Sequence, residues 1–310
     1  MNKIPVFGTI AHAYNFAITQ FVRIFGITWA PLAVSIALGL MLTPGFAGNH
    51  MPIDDKEEIA RQTLRLLPFT FLITLVIRAM IAVGVTELAL GLRKGATFVY
   101  FSVGLPVWRL FGAWILFFLL MIVIYIALII LVIVVAIVGA IAIKSAALSQ
   151  GATGVAAVAL GVSCGLLFLG ALVYVMARLT FLIPPVVVAE KKIDLARGWQ
   201  LTAGNFWRIL AIGIVLFIPL IAFGCAIFVA VYGMDLIHTM TDVFVLAAQG
   251  AKQAVIQQRV DTLSEAMRAK SLVIWPYMAA ANLLLETFAF GLLYGASAFA
   301  YRAVTPSPQA

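Results

Sequence analysis

The chain has 310 residues, of which 64% are hydrophobic and only 10% are charged, whereas a soluble domain carries about 25% charged residues. Its formal net charge is +8. This composition excludes a soluble globular protein. It predicts an integral membrane protein, because the apolar residues form uncharged runs long enough to cross a hydrocarbon layer roughly 30 Å thick.

The hydropathy pattern predicts an all-α integral membrane protein with six transmembrane helices in a single membrane domain, residues 1–310. The third and fourth spans are longer than a bilayer requires, so we expect tilt, a kink or projecting ends. Pro184 and Pro185 are expected to break the fourth. The predicted spans are residues 24–42, 67–92, 110–138, 154–188, 209–232 and 271–300.

Two features of these spans have a simpler alternative reading. A cleaved signal peptide could account for the first span, but more than twenty residues would then precede its hydrophobic part, so we favour a true span. Cys164 and Cys225 both fall inside predicted spans. This position favours small buried side chains over a disulfide.

Between the last two spans, the sequence of residues 242–270 predicts a polar helix pair outside the membrane.

The distribution of charge predicts the orientation of the chain. An even number of spans places both termini on one side, and the connections on the other side have balanced charges. An excess of Lys and Arg marks the cytoplasmic side, so we expect both termini to be cytoplasmic. The residues on the side of the termini are Lys3, Arg23, Arg93, Lys94, Arg109, Lys191, Lys192, Arg197, Arg208 and Arg302, against Glu190 and Asp194.

A short aromatic and basic segment occurs three times, as FVRIF at 21–25, VWRLF at 107–111 and FWRIL at 206–210. Each copy comes just before or at the start of an odd-numbered span. The aligned copies also share an aromatic residue nine positions before the arginine: Tyr14, Tyr100 and Trp199. We therefore predict three helix-pair pseudo-repeats, residues 1–94, 95–192 and 193–310, each led by an amphipathic interfacial helix.

The residues around each arginine predict a turn from the membrane plane into the membrane. Pro106 suits the first turn of a new helix, and Asn205 suits the N-cap of the span that follows it. The arginines could bind anionic headgroups, or they could simply fix the depth of each helix; the two roles are compatible. The residues expected at the headgroup level are Tyr14, Arg23, Tyr100, Trp108, Arg109, Trp199, Trp207 and Arg208.

Three charges fall within the even-numbered spans. Arg78, Arg178 and Glu286 lie 15, 13 and 16 residues before Arg93, Lys191 and Arg302, so we expect them at similar depth. A charge at mid-membrane costs roughly 2.5 to 3.5 kcal/mol. We therefore expect Glu286 to pair with one or both arginines at the centre of the bundle. Three arrangements of this intramembrane charge site are open. The charges could form a static ion pair, they could line a polar cavity that binds a lipid phosphate or an anionic solute, or each side chain could snorkel separately to the membrane surface.

The segment RLTFLIPPVVVAEKKIDLARGWQLTAGNFWRILAIGIVL, residues 178–216, resembles the membrane-domain family of glycerophosphodiester phosphodiesterases. In that family a span ending in proline and a Glu-containing turn is followed by a short helix bearing Arg and Trp, a Leu-Thr pair and the next span. The resemblance implies a bacterial inner (cytoplasmic) membrane protein. The matching residues are Arg178, Pro184, Glu190, Arg197, Trp199, Leu201, Thr202, Asn205, Trp207 and Arg208.

Some members of this family fuse the membrane region to a soluble phosphodiesterase domain, which needs clustered acidic and histidine residues. Here His12, His50 and His238 have no second ligand at usable spacing. We therefore expect no catalytic residue, no metal and no cofactor, and we rank an intramembrane enzyme lowest.

The sequence favours a non-enzymatic membrane protein involved in lipid or envelope organisation, or acting as the membrane partner of a soluble protein. The expected partners are membrane phospholipids, with anionic headgroups on the cytoplasmic leaflet, and no nucleic acid. The alternative is a transporter or lipid-moving protein that uses the central charged site, since transporters often contain internal repeats and intramembrane charges.

Overall fold

A computed structural model describes residues 3–42, 56–93, 95, 98–145 and 150–305. Lys94 and His50 lie outside these residues. Within them all regular secondary structure is helical, which confirms the all-α part of the predicted fold class. The helices are α1 (Val6–Thr19), α2 (Phe21–Leu42), α3 (Lys56–Ala89), α4 (Leu105–Ser145), α5 (Gln150–Thr180), α6 (Ile183–Glu190), α7 (Leu195–Leu201), α8 (Phe206–Tyr232), α9 (Met234–Ala248) and α10 (Gln253–Val304).

Six helical segments of the described ranges are long and apolar enough to cross a membrane, as in a multi-pass membrane protein. The number of spans is as predicted, and the bounds agree within a few residues. The segments are Phe21–Gly39, Leu64–Ala89, Leu105–Gly139, Val158–Glu190, Phe206–Tyr232 and Ile274–Val304.

The fourth span is broken where its prolines predicted a break. Helix α5 ends at Thr180 and α6 begins at Ile183, with Pro184 and Pro185 in the first turn of α6. Proline is tolerated there because the first turn of a helix has no intrahelical acceptor for its amide groups. The break changes the direction of the side chains that follow it.

The last helix is longer than the sequence predicted. Residues 242–270 do contain a helix pair, but its second member is continuous with the sixth span in the 52-residue α10. No glycine occurs in α10 before Gly291, and Pro276 lies inside the helix without ending it. Arg259 of α10 lies 3.6 Å from Asp242 of α9 and joins the two members of the pair. Lys270 of α10 donates to the carbonyl of Tyr232, at the end of α8, at 2.6 Å.

The prediction of a leading helix in every repeat is wrong for the second copy. Helices α1 and α7 precede α2 and α8, but residues 98–104, before α4, contain no helix. This segment is fixed by tertiary contacts instead: the Trp29 indole N–H donates to the Phe98 carbonyl at 2.6 Å, and Tyr100 is buried. The stretch FVYFSVG has β-branched and aromatic residues and a glycine, which favour helix weakly.

Helix α1 packs one face against the bundle, with Ile10 and Tyr14 partly buried there. Its buried residues are small, namely Thr9, Ala13 and Ala17, whereas Phe7 and Ile18 are exposed. These small residues pack against α10, at Gly291 and Gly295. A Cβ on Gly291 would lie 3.2 Å from the Cβ of Ala17, and one on Gly295 would lie 2.7 Å from Phe16 Cδ1. Two helices can approach this closely only where both carry small residues.

Helix α10 is the centre of the bundle and packs against α1, α2, α3, α6, α8 and α9. Two buried clusters lie on its sides near Tyr301 and Tyr294. Ile4, close to the N-terminus, is buried in the same region as Tyr301, close to the C-terminus. We call this end of the bundle the termini end and the opposite end the loop end.

Helices α4 and α5 form a hairpin beside this bundle. They pack on each other, and a Cβ on Gly139 of α4 would clash with Leu160 of α5. In the most apolar stretches of both spans none of the residues is buried by the rest of the chain. Such apolar surface suits a lipid environment, in which it costs no hydration free energy.

The close contact of α1 with α10 gives a first prediction. Replacing Gly291 by Leu should separate the two helices and lower the resistance of the protein to unfolding by sodium dodecyl sulfate. Gly170→Leu is the matched control, since a Cβ on Gly170 meets nothing within 4 Å. Equal stability of the two variants would contradict the assigned role of Gly291.

Candidate functional site

Arg178 is buried at the termini end of α5, with 7% of its surface exposed. Its two terminal nitrogens donate to the Tyr174 hydroxyl at 2.8 Å and to the Trp199 carbonyl at 2.7 Å. Its guanidinium carbon lies 3.7 Å from the centre of the Trp199 ring. Thr202 completes the contact by donating to the Arg178 carbonyl at 3.0 Å. These interactions hold α7 against the end of α5.

Arg178 therefore does not join Glu286 in the charge site expected from the sequence. Its spacing from Lys191 suggested mid-membrane depth on the assumption of a continuous helix. The break at residues 181–182 invalidates that register, and the guanidinium turns towards α7. Hydrogen bonds to a carbonyl and a hydroxyl, with stacking on an indole, let arginine be buried without an acid.

Arg78 and Glu286 do form a pair. Arg78 Nη2 lies 4.0 Å from Glu286 Oε1, and the side chains are 49% and 43% exposed. Both residues lie well inside their spans, Leu64–Ala89 and Ile274–Val304. They line a cavity of about 370 Å³ together with Ser35, Asn282 and apolar residues of α2 and α10. The ion pair thus faces a cavity with a mixed polar and apolar lining.

Glu190, at the end of α6, connects three helices at the termini end. One of its carboxylate oxygens lies 3.2 Å from Arg197 Nε and accepts a hydrogen bond from the Tyr301 hydroxyl at 3.2 Å. Lys192 lies 3.4 Å from the other oxygen. Asp194 caps α7 by accepting from the Arg197 amide at 2.8 Å. The sequence marked Glu190 and Arg197 but gave no sign that Tyr301 would join them.

The N-terminal segment is bound to the start of α8. Asn205 does occupy the N-cap position predicted for it, but its side chain does not cap the helix. Its Oδ1 accepts from the Ile4 amide at 3.0 Å, and Arg208 Nη1 donates to the Ile4 carbonyl at 2.8 Å. Arg208 is therefore a structural residue that holds the N-terminal segment in place.

The aromatic residues nine positions before each arginine have three different internal contacts. Tyr14 donates to the Val215 carbonyl at 3.4 Å. Trp199 lies against Arg178. Tyr100 is buried under Arg93, whose guanidinium carbon lies 4.2 Å from its ring centre. Burial raises the pKa of Tyr100 above its ordinary value.

The other predicted headgroup residues point outward. Arg23 is exposed, Arg109 is partly exposed, and Trp108 and Trp207 are 49% and 76% exposed. Tryptophan and arginine in such positions suit the membrane interface. These four residues are the part of the predicted headgroup set that is available to lipid.

A larger, apolar cavity lies between α4 and α8. Its volume is about 820 Å³, and its walls come from α3, α4, α5, α6, α8 and α10. Trp114 and Phe118 of α4 face Gly213 and Phe217 of α8 across it. With a rise of about 1.5 Å per residue, Arg109 lies about 8 Å from the level of Trp114 along α4.

Among the described residues, no group of three or more His, Cys, Asp and Glu side chains could hold a metal ion. His12 stacks on Phe299 at 4.5 Å between ring centres. Cys164 and Cys225 are both free thiols, partly exposed and exposed respectively. Neither thiol is buried by the described part of the chain, in contrast to the expectation of buried side chains.

No protein-family model, curated protein or solved structure matches this chain. The resemblance to the glycerophosphodiester phosphodiesterase membrane-domain family therefore stays a prediction. Most of its matching residues have a structural role in this chain. Arg178, Trp199 and Thr202 hold α7 against α5, Glu190 and Arg197 join α6 to α7, and Asn205 and Arg208 bind the N-terminal segment.

The buried position of Arg178 predicts a loss of stability on substitution. Arg178→Gln should remove the stacking on Trp199 and leave the Trp199 carbonyl unsatisfied, at a cost of about 1.5 to 3 kcal/mol. Unfolding in sodium dodecyl sulfate, compared with the exposed control Arg23→Gln, measures the difference. If Arg178→Gln destabilises the protein no more than Arg23→Gln does, Arg178 does not hold α7 against α5.

The Arg78 and Glu286 pair predicts non-additive effects. Arg78→Gln or Glu286→Gln leaves one charge without its partner inside a span, whereas the double variant leaves none. We expect each single variant to reduce folded yield more than the double variant does. Additive losses, measured by size-exclusion chromatography, would show that the two charges are independent.

Proposed function

We propose that this chain is a non-enzymatic multi-pass membrane protein that binds phospholipid. The acyl chains would occupy the apolar cavity between α4 and α8, and the headgroup would lie near the outward-pointing tryptophans and arginines of the termini end. Such binding would serve lipid or envelope organisation, by this protein alone or as the membrane partner of a soluble protein.

The apolar cavity is the observation that carries this proposal. It lies among membrane-spanning segments and is lined mainly by aromatic and aliphatic side chains. Its lining includes Trp114 and Phe117 of α4 and Phe217 of α8. A lipid chain is the apolar molecule that reaches such a cavity from within a bilayer, without passing through water.

The charge of the termini end supports an anionic headgroup. Arg23 and Arg109 have no hydrogen bond or ion pair within the described part of the chain, and Trp108 and Trp207 flank them at the same end. Each Lys or Arg near an anionic membrane surface contributes about 1 kcal/mol. We place this end at the cytoplasmic leaflet of a bacterial inner membrane, since it carries the basic excess.

Transport or lipid movement is a second candidate, favoured by the Arg78 and Glu286 cavity. Charged side chains inside spans are common in ion and solute pathways. The three pseudo-repeats would be parallel copies, unlike the common inverted pairs of transporters. We therefore rank this function second.

The proposal predicts lipid retention that depends on the cavity. Native mass spectrometry of the protein in mild detergent should detect bound phospholipid in the wild type and much less in Gly213→Phe, whose side chain would fill the cavity. Gly224→Phe, on the same helix, is the matched control: a Cβ on either glycine meets nothing within 4 Å, but Gly224 does not line the cavity.

The headgroup is tested separately with Arg23→Gln/Arg109→Gln. We expect this variant to retain less anionic phospholipid than the wild type. Arg208 is left unchanged in the Gly213→Phe variant and in the Arg23→Gln/Arg109→Gln variant, because it holds the N-terminal segment. Unchanged lipid binding in Gly213→Phe would overturn the cavity assignment, and unchanged binding in the arginine variant would make Arg23 and Arg109 anchors only.

A further inference from the structure

The cavity beside Arg78 and Glu286 extends from mid-membrane to the loop end of the bundle. Its lining includes Tyr232, the last residue of α8, and Trp275, at the loop end of the sixth span. Glu286 lies eleven residues further along α10 than Trp275, which is about 16 Å at 1.5 Å per residue. The charged pair therefore lies at the inner end of a deep vestibule.

The vestibule is closed on the side of the termini end. Thr28 and Thr287 share a hydrogen bond of 2.7 Å between their hydroxyls, and both residues are fully buried. One turn further, Ile24 packs against Gly291, and Ile81 is also fully buried. Within the described part of the chain, packed side chains therefore block the route from the termini end, whereas the cavity lining continues towards the loop end.

Burial and charge indicate that this vestibule contains water. Nearly half of each charged side chain is exposed, and both residues line the cavity. Exposure of a charge to hydrocarbon at this depth is costly. At 4.0 Å the two groups are beyond hydrogen-bond distance. Both keep hydrogen-bonding capacity for a third molecule.

We propose that the vestibule is a binding site for a small zwitterion, with the anionic group at Arg78 and the cationic group at Glu286. An anion alone would meet the carboxylate, and a cation alone would meet the guanidinium. A molecule with an ammonium and a carboxylate or phosphate satisfies both charges. Ser35 and Asn282 add a hydroxyl and an amide to the lining. This site is separate from the lipid cavity and does not depend on lipid binding there.

Cysteine modification tests whether the vestibule is wet. The native cysteines are first removed by Cys164→Ala/Cys225→Ala, and the protein is placed in nanodiscs of phosphatidylglycerol. In this background Ser35→Cys should react with a water-soluble thiosulfonate reagent that carries a sulfonate group. Thr28→Cys lies on the same helix but between the charged pair and the termini end, and it should not react. Lack of reaction at Ser35→Cys would overturn the proposal, and so would equal reaction at both positions.

Protection from modification tests the ligand class, with phosphoethanolamine as the probe. It should slow the reaction of Ser35→Cys in proportion to its occupancy, whereas inorganic phosphate and ethanolamine should not. In Arg78→Gln/Glu286→Gln the cysteine should still react, but the protection should be lost. No protection by phosphoethanolamine, or the same protection in the double variant, would refute the zwitterion site.

A second variant keeps the test decisive if the charge-neutral one fails to fold. Ala279→Phe places a ring in the vestibule without altering either charge, and it should slow labelling of Ser35→Cys even without ligand.

Nanodiscs of phosphatidylethanolamine identify the source of the zwitterion. Protection without any added solute means that a lipid headgroup enters the vestibule. Protection only by soluble phosphoethanolamine means that the ligand is a free solute.

Sidedness is read from reference cysteines. Gln258→Cys marks the loop end and Gln200→Cys the termini end, since both positions are exposed. In intact cells, Ser35→Cys should react from the same side as Gln258→Cys. Reaction from the side of Gln200→Cys would overturn the assigned opening.

Discussion

The bundle depends on the close approach of α1 to α10, which Gly291 and Gly295 make possible. Hydrocarbon provides no hydrophobic driving force between helices, so association rests on close packing and on polar contacts. Small residues on both helices bring the backbones together, and α10 then stands at the centre with other helices around it. This arrangement fixes the N-terminal segment beside the C-terminal end of α10 and closes the termini end.

Polar groups at the termini end are paired across helices that are distant in sequence. Ile4 is bound by Asn205 and Arg208, and Glu190 by Arg197 and Tyr301. Buried backbone and charged groups need partners because water is largely excluded from this part of the chain. The segment that resembles a known membrane family thus supplies much of the structural framework, and the resemblance says little about activity.

The two cavities differ in chemistry and in position. One is apolar, lies between α4 and α8 and suits a lipid chain. The other contains Arg78 and Glu286, opens towards the loop end and suits a small polar molecule. Between them, α10 contributes Tyr294 and Ser297 to the apolar wall and Asn282 to the polar one. The same central helix therefore lies beside two chemically separate environments.

Much of the architecture was determined by the sequence alone. Uncharged runs of about twenty residues must be helical in a bilayer, since every backbone group needs an internal hydrogen bond, and Pro184 and Pro185 fixed the break in the fourth span. Periodicity and repetition were less informative about individual side chains. Tyr14, Tyr100 and Trp199 occupy equivalent positions in the three repeated segments, yet each has a different internal partner.

Only the tertiary structure decided which charges meet. Arg178 and Arg78 have similar distances from the ends of their spans, but the break after α5 directs Arg178 to Trp199 and leaves Arg78 with Glu286. A side chain's partner depends on the rotation and packing of whole helices, and these depend on contacts such as Ala17 with Gly291. Such contacts join residues far apart in the chain, so no local pattern encodes them.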